Sequence, residues 1–86
     1  MNEKTLRLLV ENGAIKQIVI IGNGGSLYVE VVTPTGKHTA TTLKGSLKTW
    51  TNLNSVAKWV RSLGIGIIQL NIEKWQPDQK VMVLTN

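Results

Sequence analysis

The chain has 86 residues, 42% of them hydrophobic, with ten Lys and Arg against five Asp and Glu for a formal charge of +5. That length holds one domain and is short of two, and a chain of this size buries about 60–65% of its unfolded surface. With no Cys, disulfides, thiolate metal sites and cysteine nucleophiles are excluded, and no apolar run approaches the ~20 residues a membrane-spanning helix needs.

In chain order, Asn2 caps a first helix, with Glu3 in the first turn where negative charge suits the helix dipole. Leu6, Leu9 and Val10 make its apolar stripe, and Asn12-Gly13 ends it. IKQIVII, residues 15–21, is rich in β-branched side chains and reads as a strand buried on both faces near its end. Gly22-Asn23-Gly24-Gly25 reads as a turn, because a dinucleotide-binding fingerprint needs a further Gly where Leu27 stands and then a helix. LYVEVV, residues 27–32, alternates as a second strand, and Thr33-Pro34-Thr35-Gly36 is the next turn.

KHTATTL and SLKTW are predicted as third and fourth strands around a Lys44-Gly45 turn. Asn52 then caps a second helix to Leu63, closed by Gly64, with Leu53, Val56, Ala57, Val60 and Leu63 as its buried stripe. Trp59 borders that stripe, while Asn54, Lys58 and Arg61 face away. IIQLNI reads as a fifth strand with Ile68, Leu70 and Ile72 on one face. Trp75-Gln76-Pro77-Asp78 breaks the chain. The closing KVMVLTN has strand-like content and reads as an edge strand, a dimer contact or a flexible tail. The expected fold is a single α+β domain over residues 1–86, α-β-β-β-β-α-β, a mainly antiparallel meander of four to five strands with the helices on one face.

The charge is unevenly placed. No Asp or Glu occurs between Glu30 and Glu73, whereas Lys37, Lys44, Lys48, Lys58 and Arg61 all fall in that interval. Such a field favours polyanions: nucleic acid, an anionic surface or an acidic protein. Period-two alternation sends Lys37, Thr39 and Thr41 one way and His38 the other, and in the next strand groups Lys48 with Trp50. With Leu47 turned to the helices, Lys48 and Trp50 are expected on the uncovered side of the sheet, offering cations and hydroxyls to phosphates and an indole to a base. The plainer alternative puts Trp50 in the core, since the chain has no Phe and three Trp must supply the large volumes. Lys58 and Arg61 are a second basic patch or simply a solvated helix face. His38 is the single histidine and has no neighbouring carboxylate in sequence to orient it, so no catalytic set, metal site or cofactor is expected.

Three segments, LLVENGAIKQIVIIGNGG, LKGSLKTWTNLNSVAKWVRSLGI and LNIEKWQP, cover most of residues 6–77. In order and spacing they resemble the small ParC-like, partition-associated proteins of plasmids and integrative conjugative elements. The basic strand leading into an aromatic, a capped helix and LGI carries most of the likeness. Where that pattern has an Asp early in the second helix this chain has Asn54, and its longer basic tail is reduced to QKVMVLTN. The resemblance implies an accessory protein of a mobile element acting near plasmid DNA, in partition, stability or transfer, and brings no catalytic residue. The expectation is therefore a cytoplasmic, non-enzymatic homodimer. It binds single-stranded or duplex nucleic acid through Lys37, His38, Thr39, Thr41, Lys44, Lys48, Trp50, Lys58 and Arg61. The alternative is an adaptor whose basic face docks an acidic partition or replication protein.

Overall fold

A computed structural model describes residues 1–77; the expectations for the closing segment lie outside them. The order is α1 (Glu3–Glu11), β1 (Gln17–Gly24), β2 (Ser26–Thr33), β3 (Gly36–Thr39), α2 (Leu53–Ser62) and β4 (Gln69–Trp75). The α+β class and the count of four to five strands are as expected, with four strands formed and none at SLKTW.

Both helix starts are set by asparagine. Asn2 accepts a hydrogen bond from the Thr5 backbone N–H at 3.0 Å, and Asn52 accepts from Ser55 N–H at 3.2 Å. Each satisfies a donor that a helix start leaves without an intrahelical partner. Gly13 and Gly64, at φ 65° and 95°, take the left-handed conformations that end the two helices.

β1 and β2 form a tight antiparallel hairpin in which Gln17 faces Val32 and Asn23 faces Ser26. The glycine turn is therefore shorter than expected: β1 continues through Gly22 and Asn23, leaving Gly24 and Gly25 to reverse the chain. At the far end Thr33 faces Gly36 across Pro34-Thr35, and the buried Thr33 hydroxyl accepts from Thr35 N–H and donates to the Gly36 carbonyl. That pairing satisfies a polar group that would otherwise be costly to bury.

The strands lie in the order β3-β2-β1-β4, and β4 runs parallel to β1. The sheet is mainly antiparallel, as expected, and differs from the expected meander in this one parallel neighbour. A parallel neighbour requires a crossover, and the stretch from Ala40 through α2 supplies it. The register between β1 and β4 shifts between Ile21 and Asn23.

Alternation along β1 and β2 buries Ile18, Ile20, Leu27, Val29 and Val31 on one face, where Leu6 of α1 and Val56 and Val60 of α2 close the core. Complete burial of each such side chain contributes about 1.5–3 kcal/mol over exposure. β1 is thus buried on one face and only half-buried on the other, Ile21 included, against the expectation of burial on both faces near its end. No helix among the described residues is long and apolar enough to cross a membrane.

Candidate nucleic-acid interface

The structure divides the expected basic hairpin between the two sides of the sheet. On β3, Lys37 pairs with Val32 and Thr39 with Glu30, while His38 pairs with Val31. Antiparallel partners point to the same side, so Lys37 and Thr39 stand on the uncovered face. His38 stands on the helix side, exposed because β3 is an edge strand.

After Thr39 the regular ladder stops. Ala40 turns into the core, its N–H bonded to the Val29 carbonyl. Thr41 holds the N-terminal segment through its N–H to the Met1 carbonyl, at 2.8 Å, and bridges to Leu47. SLKTW is not a strand but a set of isolated bridges, including Leu27 to Trp50. Leu27 is wholly buried on the helix side, so Trp50 opposite it lies there too. The expected position of Lys48 and Trp50 on the uncovered side is corrected by this pairing, and Leu47, expected against the helices, is 47% exposed.

On the helix side Trp50 and Trp59 pack with ring centroids 5.0 Å apart at 49°, both half-buried against the core. The Lys48 ammonium sits 5.3 Å from the Trp50 ring centre and 5.7 Å from that of Trp59, within the range of cation–π attraction. Trp59 Nε1 donates to Glu3 Oε1 at 2.9 Å, and Arg7 reaches Glu3 Oε2 at 3.0 Å. The hydrogen bond from Trp59 and then that from Arg7 hold the Glu3 carboxyl below its ordinary value. Arg7 also donates to the Ser62 carbonyl at 3.2 Å, placing a cation at the negative end of α2. These contacts set α1, α2 and the Lys48 segment side by side, so Trp50 is packing beneath a lysine rather than a free stacking surface.

Lys58 is two positions from both Val56 and Val60, roughly 160–200° around the helix from the buried stripe, and it is exposed, as is Arg61. Lys44 is exposed on the turn between Thr42 and Ser46, where Gly45 takes φ 91°. Lys48 lies against the flank of α2, the helix that carries Lys58 and Arg61; Lys37 does not share that side. Among the described residues the sole ion pair is Arg7–Glu3. The cations between Glu30 and Glu73 therefore have no carboxylate partner there.

The sequence reading left out Glu3, Lys4 and Arg7, which the helix packing brings into this layer. The signal for Glu3 and Arg7 was their spacing of four, which sets them one turn apart on the helix. It also left out the pattern Gln17-Val19-Ile21 and Tyr28-Glu30-Val32, whose alternation marks the uncovered face. Among the described residues no group of three or more His, Asp or Glu could hold a metal ion. No protein-family model, curated protein or solved structure matches the chain.

Proposed function

We propose that this is a non-enzymatic nucleic-acid-binding accessory protein that meets the phosphate backbone with its helix side. The observation that carries the reading is the uneven placement of charge. Lys4, Arg7, Lys48, Lys58 and Arg61 belong to the helix layer or its flank, and Lys44 to the adjoining turn. Of the carboxylates, Glu3 and Glu11 are on that side, and Glu3 is already paired. Lys44, Lys58 and Arg61 are the leading contacts, Lys48 is held over the indoles, and His38 flanks them. Point contacts of this kind position a backbone without reading bases, so sequence preference is weak. The likeness of LKGSLKTWTNLNSVAKWVRSLGI to the partition-associated proteins fits an accessory acting on the DNA of a mobile element.

The test is fluorescence anisotropy with labelled single-stranded and duplex oligonucleotides between 50 and 200 mM salt. Four phosphate contacts on duplex DNA correspond to a loss of about 10²-fold in affinity over that range. Lys44→Glu with Lys58→Glu should weaken binding further while the far-UV circular dichroism is unchanged. Absence of binding to either oligonucleotide at 50 mM salt overturns the reading and gives the surface to an acidic protein partner.

A further inference from the structure

The uncovered face of the sheet has a different character. Val19 and Ile21 of β1 and Tyr28 and Val32 of β2 are half-buried there, and no element among the described residues packs over them. A shallow hollow of about 440 Å³ runs across these strands between Lys37 and Asn71, and a second, of about 330 Å³, continues from Ile21 and Asn71 to Lys74. At the other end Ile67, 90% exposed, shares a hollow with Val32 and Gln69. The charges on this face nearly balance: Glu30 and Glu73 stand with Lys16, Lys37 and Lys74. A polyanion gains little here, because Glu30 sits in the middle of the face.

We infer that this face is the contact between two copies of the chain, packed sheet against sheet. Thr39 pairs with Glu30 and Val32 with Lys37, so Glu30 and Lys37 are diagonal neighbours, and neither is in an ion pair within the described residues. A two-fold axis makes every contact reciprocal. When Glu30 of one copy meets the partner's Lys37, Lys37 of the first meets the partner's Glu30. The apolar centre is then covered and its two buried charges are matched, which a partner of uniform charge does not achieve. Four strands about 4.8 Å apart and about six residues long give a footprint of about 400 Å² per copy. Stable complexes cover about 800 Å² per partner, so the dimer is weak and reversible. This contact is independent of the nucleic-acid reading, since Lys44, Lys58 and Arg61 take no part in it.

Sedimentation velocity from 5 to 500 µM, without nucleic acid, tests the inference. The wild type should move from monomer to dimer across that range. Ile21→Arg should weaken association at least tenfold, and Glu30→Lys and Lys37→Glu should each do the same with unchanged circular dichroism. An equimolar mixture of the Glu30→Lys and Lys37→Glu proteins should recover association to within about threefold of wild type, because each mismatched pair becomes attractive in the mixed dimer. A wild type that stays monomeric at 500 µM overturns the inference, whatever the variants do. So does dimerisation that Ile21→Arg leaves unchanged, or a mixture that does not recover. Loss of oligonucleotide binding on Ile21→Arg, with the wild type monomeric, would assign the face to nucleic acid instead.

Discussion

Gly22→Ala is the substitution whose consequence the structure specifies most closely. Gly22 is buried in β1 opposite Leu27, and the side chain of Trp75, at the end of β4, crosses directly over it. A methyl group on Gly22 would come 2.6 Å from Trp75 Cγ and 2.9 Å from Cδ1, and nearer still to Cβ. Carbon atoms rest at about 3.5–4.0 Å, so Trp75 must retreat by roughly 1 Å. Its Cβ is fixed to the backbone, so rotating the ring cannot relieve the overlap and the edge strand has to move. The Trp75 indole N–H is buried with no hydrogen-bond partner among the described residues. Overpacking of this kind costs about 1–3 kcal/mol, which for a domain of this size lowers Tm by about 4–8 °C per kcal/mol. Thermal and urea unfolding should therefore show a drop of about 5–20 °C with the dependence on urea unchanged. Gly25→Ala is the internal control: nothing lies within 4 Å of its added methyl, and its φ is outside the left-handed region. It should melt within a few degrees of wild type. Equal melting of the two variants would refute the packing of β4 described above.

Asn52→Ala removes the acceptor for Ser55 N–H and should cost about 1 kcal/mol, whereas Asn52→Asp keeps the cap; chemical denaturation that cannot tell the two apart would contradict the capping role. For Glu3→Gln the amide oxygen can still accept from Trp59, so the variant isolates the charge. The folded-state pKa of Glu3 is lowered by Trp59 and Arg7, so its stabilisation is present above the ordinary carboxylate range and is lost as pH falls through the lowered value. The group is exposed, which keeps the effect under about 1 kcal/mol. Melting of both proteins between pH 7 and pH 2.5 should show a small gap that closes at the acid end, and a constant gap would remove the charge from the account.

Local chemistry was legible where one residue type decides the geometry. Asn2 and Asn52 cap the helices, Gly13 and Gly64 end them, and Pro34 with Gly36 turns the chain, all from spacing alone. The stripe from Leu53 to Leu63 found the face of α2 that meets the sheet. Long-range pairing was not legible. A single amphipathic strand such as Gln69–Trp75 carries no mark of which neighbour it joins or in which direction, and its parallel seat beside β1 follows from the crossover path rather than from its own residues. SLKTW has the content of a strand, yet after Ala40, whose N–H still bonds Val29 in the register of the ladder, Thr41 bonds Met1 instead and the chain leaves the ladder before it.

The same distinction explains the fate of the basic segment. A linear interval without acids became two surfaces, because strands distribute alternate residues to opposite sides and hairpins bring distant positions into register. Glu30 closes the acid-free interval at one end, yet the two-residue turn at Pro34-Thr35 places it beside Lys37 on the uncovered face. Glu3, far away in sequence, arrives within reach of Lys48 through the docking of α1 on α2. What survives without a carboxylate partner among the described residues is the part carried by a helix and a turn, Lys44, Lys58 and Arg61, all three exposed. Charge counted along the chain thus did not reveal that Lys48 lies on the helix side of the sheet, and the balanced side is the one whose apolar centre has no described element over it.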